Sequence, residues 1–200
     1  AVIRDPSRHP ETAGQLARAG VRIHPSLDDL LKAERGRIDL VIVATGIPEH
    51  ATQAEAALRA GVAVLCEKPA AGSWADALRM KAAADRAGLM LAIGYQHLQS
   101  SSLQRIRSIA LSGSLGRLVG ARGLVLSPRS AAYYERNRWA GRMTVNGVAV
   151  HDSPIQNAAG HYLMNLLFVA GGTPLSVLGE SYRAAPIEGA DTQCLRVTMD

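Results

Sequence analysis

The stretch Ile38–Ala44 reads Ile-Asp-Leu-Val-Ile-Val-Ala, apolar and β-branched apart from Asp39. A strand with one wet face alternates polar and apolar residues. A continuously apolar one belongs to a sheet covered on both faces, which in practice means parallel strands joined by helical crossovers. The flanks repeat the theme. Ala1–Ile3, Val21–His24, Val62–Cys66 and Leu89–Ile93 are further short apolar runs, and helical patterns separate them over 10–19, from Leu27, over Pro48–Ala60 and up to Ala87. Ser26 and Ser73 stand where helices start, and Gly20, Gly61 and Gly88 where they end. The expected fold class is α/β, with a doubly wound parallel sheet over residues 1–97.

The pattern changes after residue 97. Leu98–Ser112 reads as a helix and Arg117–Ser127 as a long strand broken by glycines. Asp152–Ala170 reads as a helix, and Leu175–Leu178 and Gln193–Met199 as strands. Residues 98–200 are therefore expected to form a second, α+β domain with an open, mostly antiparallel sheet. Both domains are expected to be incomplete. A dinucleotide-binding sheet opens with a strand, a Gly-rich turn and a helix, a unit of roughly 25–35 residues that should precede Ala1, and at Asp200 a sheet is still developing.

Composition narrows the function classes. The net charge is +5, but the basic residues are scattered, with one local group at Arg136, Arg138 and Arg142. No aromatic stacking series accompanies that group, so nucleic acid is not the expected partner; an anionic substrate or cofactor is the sharper reading of it. Cys66 and Cys194, the only cysteines, show neither metal spacing nor a disulfide framework, which fits a reducing cytoplasm. No run of about 18 apolar residues is present, so no membrane partner is expected. No metal is expected either: His151-Asp152 finds no third ligand at sensible spacing.

In doubly wound sheets, ligands bind beyond the carboxyl ends of the strands. Those ends here are Arg4-Asp5, Thr45-Gly46, Glu67-Lys68 and Gly94-Tyr95-Gln96. Pro69 restricts Lys68 toward extended geometry and allows a cis bond before it, so an ammonium is held at a sheet's edge.

Val62–Pro69 (VAVLCEKP) following Ile38–His50 (IDLVIVATGIPEH) resembles the Gfo/Idh/MocA oxidoreductases, the group of inositol dehydrogenase and glucose–fructose oxidoreductase. Gly94-Tyr95-Gln96, Arg138-Trp139 and a helix running from His161 to Gly171-Gly172 match in the same order. The resemblance implies a Rossmann domain followed by a sheet domain that carries substrate and assembles a homodimer or homotetramer. It implies hydride transfer between NAD(P) and a hydroxyl-bearing carbon of a sugar, cyclitol or related polyol.

It also implies residue roles. Lys68 matches the lysine that stands beside the substrate hydroxyl, and Glu67 the glutamate near the nicotinamide ribose. The family carries Asp-x-x-x-His ten residues before Gly-Gly. Here that frame gives His161 as acid/base and Asn157 in the aspartate's place, one helical turn earlier and on the same face. A second frame, from Asp152, would put Gln156 in the histidine's place. His50 matches a family histidine for which capping, packing and cofactor contact are all open. Asp5 follows the strand whose acidic residue binds the NAD ribose, so NAD is expected, with NADP possible through Arg8. Thr45, Gly46 and Gln96 join the cofactor side. Gln96, Trp139, Arg142, Asn157, His161 and Lys68 are expected to line the substrate. Asn157 in place of aspartate leaves a second reading, a catalytically silent nucleotide-binding member acting as a regulatory or partner subunit.

Overall fold

The computed structural model describes all 200 residues. Helices α1 (Pro10–Arg18) and α2 (Leu27–Ala33) precede strand β1 (Leu40–Val43), helix α3 (Ile47–Arg59), strand β2 (Ala63–Cys66), helix α4 (Trp74–Ala87) and strand β3 (Leu91–Ile93). The three strands form one parallel sheet in the order β1-β2-β3. Val43 pairs with Cys66 and Cys66 with Ile93, so the three carboxyl ends lie level. Ser26 and Ser73 cap α2 and α4 through their hydroxyls, and Gly88 closes α4 at φ 64°.

Each crossover steps one strand in the same direction, and crossovers of one hand then fall on one face of the sheet. Accordingly α3 packs on α4, and both pack on β2 side chains. The core is Val43, Val64 and Cys66 from the sheet, with Ala51, Ala54, Ala57 and Leu58 of α3 and Met80, Ala83 and Ala84 of α4. Small alanines let the helices approach closely. On the opposite face Leu40 and Ile42 are 43% and 64% exposed. Coverage of both faces, expected from the Ile38–Ala44 run, is thus met on one face only. The strands expected at Ala1–Ile3 and Val21–His24 shrink to one parallel bridge, Val2↔His24. Both Val2 and Val21 are exposed, and a pair that buries so little and has no third strand does not grow into a ladder.

Helix α5 (Ser101–Leu111) follows, then α6 (Ala131–Glu135), a small hairpin of β4 (Thr144–Val145) and β5 (Val148–Ala149), helix α7 (Gly160–Ala170), and the antiparallel pair β6 (Pro174–Tyr182) and β7 (Thr192–Met199). Two expectations are corrected here. Residues 117–127 form no strand: β6 and β7 pair only with each other, and Val119, Leu124 and Leu126 stand 82–85% exposed. The single helix expected over Asp152–Ala170 is two pieces. Pro154–Ala158 is a π-helical turn, widened by the bond from Ala159 N to Pro154 O (2.6 Å), and α7 begins only at Gly160.

The two halves meet tightly at Gly72. A Cβ there would lie 1.9 Å from the Ala149 carbonyl oxygen. Gln156 reinforces the contact, its Nε2 donating to Val150 O (3.0 Å) and Ala71 O (3.3 Å). No helix is long and apolar enough to cross a membrane.

Candidate active site

Lys68 leaves the end of β2 and its chain crosses to the second half. Its Nζ donates to Asn157 Oδ1 (2.9 Å) and to Asn157 O (3.0 Å). Asn157 Nδ2 donates in turn to Asp152 Oδ1 (2.9 Å), whose other oxygen accepts from Gly141 N (2.7 Å). Asp152 and Asn157 are 6% and 8% exposed, so this chain of bonds runs through the interior. A cation and a carboxylate on either side fix which way the amide points. Burial pushes the Lys68 pKa down; Glu67 and Asp152 act against it.

Asn157 lies in the π-helical turn and His161 in the first turn of α7 that follows it. Asn157 spends its amide on Lys68 and Asp152 and does not hold the imidazole. His161 is held instead by rings. It stacks on His97 at 4.3 Å and 24° and meets Tyr95 edge-on at 5.8 Å. Its Nδ1 is buried without a partner. Burial, then the charges of His97 and Lys68, lower its pKa, with Glu67 opposing. The imidazole is therefore neutral near pH 7 and free to accept a proton, beside an ammonium able to stabilise an oxyanion.

On the cofactor side, the Thr45–Gly46 turn, the Glu67–Lys68 turn and Gly94 share the carboxyl edge of the sheet. Gly94 N bonds Cys66 O (2.7 Å), and a Cβ on Gly94 would lie 3.4 Å from Glu67 Oε2. Thr45 Oγ1 donates to Gln53 Oε1 (3.1 Å). Trp139 comes from the second half onto this edge: a Cβ on Gly46 would lie 2.8 Å from its indole Nε1. Gln96 is exposed at the start of a 3₁₀ turn. Asp5 caps another 3₁₀ turn. Its Oδ1 accepts from Ser7 Oγ (2.6 Å) and Ser7 N (3.1 Å), which with nearby Arg8 holds the carboxyl ionised. Its second oxygen takes no bond within the chain, and the residue is exposed, so an ionised acceptor is presented to solvent. A free carboxylate acceptor of this kind suits the hydroxyls of a ribose.

Two expected site residues take other places. His50 is 1% exposed, with Nδ1 2.9 Å from Pro69 O and Nε2 3.1 Å from Thr45 O. Both ring nitrogens are taken by backbone, so of the three roles left open for it, packing between the two turns is the one present. Arg142 pairs with Glu188 (2.5 Å) on an exposed loop. Gln156, the alternative to His161, is the staple between the halves. Sequence reasoning gave Asp152 only as the start of the alternative frame, not as the carboxylate behind Asn157, and gave no role to His97, which carries the ring of His161. Only the fold could find either, since a π-helical turn and a stacking contact leave no spacing signature.

Residues 3–95 match the oxidoreductase family described by an NAD-binding Rossmann fold. The 1-carboxy-3-chloro-3,4-dihydroxycyclohexa-1,5-diene dehydrogenase of Comamonas testosteroni is 30% identical over 171 residues, 84% of this chain and 41% of the relative. An inositol 2-dehydrogenase of Leifsonia xyli subsp. xyli is 31% identical over 143 residues, 70% of this chain and 40% of its own length. The chain thus spans about two-fifths of these curated relatives. Among solved structures, the WlbA dehydrogenase of Bordetella pertussis, in complex with NADH and UDP-GlcNAcA, superposes with a TM-score of 0.81 at 28% identity, over 99% of this chain and 59% of that one. The family match, the relatives and the superposed fold agree with the EKP turn and with the sheet that carries it: the chain belongs to the Gfo/Idh/MocA oxidoreductase family.

Proposed function

We propose that the protein carrying this chain is an NAD-dependent dehydrogenase of a sugar, cyclitol or related polyol. In this reading residues 1–97 hold the cofactor side and residues 98–200 the substrate side. The observation that carries it is the Lys68–Asn157–Asp152 chain of bonds beside a neutral, depressed-pKa His161. Bound NAD would supply the hydride acceptor. His161 takes the proton of the substrate hydroxyl. Lys68 hydrogen-bonds the same oxygen and stabilises its developing charge, and Asn157 and Asp152 hold the ammonium in place. Asp5 takes the ribose hydroxyls and, being ionised, disfavours a 2′-phosphate, so NAD is preferred over NADP.

The silent-subunit reading rested on Asn157 having no charge to offer. Asp152, 2.9 Å behind it, offers that charge through the amide. Assembly as a homodimer or homotetramer is supported by the β6–β7 pair, whose Leu175, Val177 and Leu178 are 60–66% exposed. The test is NADH formation by the full-length protein over a panel of sugars and inositols, with NAD affinity measured by calorimetry. NAD binding with no turnover on any member would favour the silent subunit.

A further inference from the structure

The loop from Lys68 to Gly72 is fastened to the second half at both ends, by two successive residues of the π-helical turn. At its start, Lys68 Nζ donates to the two oxygens of Asn157. At its end, Gln156 Nε2 donates to Ala71 O (3.3 Å) and Gly72 O (3.5 Å). The same nitrogen donates to Val150 O (3.0 Å) on the other side of the seam. Ala71, Gly72 and Val150 are buried, and no other donor of the chain reaches any of these three carbonyls. Gln156 therefore meets all of their hydrogen-bonding need with one amide group.

The turn has a separate tie to its own half, where Ile155 N donates to Gln193 Oε1 (2.9 Å) on β7. Across the seam its hydrogen bonds are those of Gln156 and Asn157. Buried carbonyls without a donor are costly, so removal of the Gln156 amide draws water into the seam or parts its two walls. Both outcomes shift Asn157 relative to Lys68, because Gln156 and Asn157 are neighbours in one turn.

We infer that Gln156 is a positioning residue: by donating to carbonyls on both sides of the seam, it sets where the Lys68 ammonium stands against the π-helical turn and hence against the substrate oxygen. This rests on the dehydrogenase reading of Lys68. Gln156 itself touches neither the substrate nor the cofactor and moves no proton.

Lys68 reports the state of the seam. Burial holds its pKa down, while Glu67 beside it and Asp152 before the π-helical turn act against that; His161 of α7 is the other titratable group coupled to its charge. Water admitted at the seam relieves the burial, so the pKa rises. The ammonium is the working form, lost as pH rises through that pKa, so the alkaline limb moves to higher pH.

The test uses the full-length protein with NAD and its best polyol, for wild type, Gln156→Met, Gln156→Asn and, as a control away from the seam, Gly88→Ala. Gln156→Met keeps the length and removes the donor; Gln156→Asn keeps the amide on a shorter arm. Steady-state kinetics over pH are read beside calorimetric NAD affinity. The pH dependence of Lys68 acetylation by acetic anhydride, read by peptide mass spectrometry, gives its titration without turnover. Gln156→Met should lower kcat roughly 10–100-fold, the scale of misplacing a catalytic group by about 1 Å, with the polyol KM and NAD affinity within about threefold. Its alkaline limb and its Lys68 labelling midpoint should both move to higher pH. Gln156→Asn should fall between it and wild type, and carries the comparison if Gln156→Met fails to bind NAD. Gly88→Ala should keep the wild-type kcat and midpoint. A kcat within twofold of wild type in the Gln156 variants, or a loss of kcat with the labelling midpoint unmoved, overturns the positioning role and leaves the dehydrogenase reading standing. A shifted midpoint in a protein whose wild type turns over no polyol keeps Gln156 as the residue that sets Lys68 and removes the dehydrogenase reading.

Discussion

Lys68 Nζ donates to both the side-chain and the main-chain oxygen of Asn157, at 2.9 and 3.0 Å, across 89 positions of sequence. The end of a parallel strand is thereby fastened to a π-helical turn in the other half of the chain. Asp152, accepting from the amide nitrogen, keeps the amide oxygen turned toward the ammonium. The carboxylate behind the amide comes from five residues earlier in the chain.

A charge swap follows from this arrangement. Asn157→Asp restores the family's residue, yet it would set a second carboxylate 2.9 Å from Asp152, where like charges cannot both ionise cheaply. Turnover should fall by about tenfold or more, and the loss should ease at lower pH as one carboxyl protonates. The double variant Asp152→Asn/Asn157→Asp should recover most of it, a coupling that a double-mutant cycle on kcat/KM would measure.

His161 sets the acid limb of polyol oxidation. The base must be neutral, its pKa lies below the ordinary histidine value of about 6.5, and activity is lost as pH falls through it. His97 is one of the groups that lower that pKa. His97→Gln should therefore shift the limb in kcat/KM to higher pH, and it should slow turnover by removing the surface on which the imidazole stacks.

Much of this was legible in the residues. The Ile38–Ala44 run and the capping serines located the sheet and its helices within a residue or two, because burial and capping are local effects. Lys68 was legible because a strand, a charged pair and a proline stand in a row. The Arg117–Ser127 strand failed because a strand exists only with a partner, and apolar β-branched content cannot say whether one is present. Asp152 was read only as the start of the alternative frame, because its link to Asn157 depends on a π-helical turn, for which five-residue spacing is no signal.

His50 should matter for stability more than for contact with substrate. Its ring fills a buried gap and bridges two backbone carbonyls. His50→Ala should cost about 2–4 kcal/mol in denaturant unfolding, by cavity and lost hydrogen bonds together, with His50→Gln costing less.

Gly72→Ala tests the seam between the halves. A methyl group 1.9 Å from the Ala149 oxygen has no space, and backbone on both sides must move. A loss of about 3 kcal/mol is expected in thermal or denaturant unfolding, with a fall in turnover because Lys68 and Asn157 drift apart. Gly88→Ala, at an open helix end, strains only its own backbone and should cost roughly 1 kcal/mol without touching the site.

The most direct measurement is hydride transfer to NAD by the full-length protein on its best polyol, for wild type, Lys68→Ala and His161→Ala, with NAD affinity followed in parallel by calorimetry. Each variant should lower turnover by about 10²–10⁴-fold while NAD binds within about threefold of wild type, since both residues act on the substrate oxygen and not on the cofactor. Turnover within twofold of wild type in either variant would contradict the assignment of Lys68 and His161 to the reacting hydroxyl.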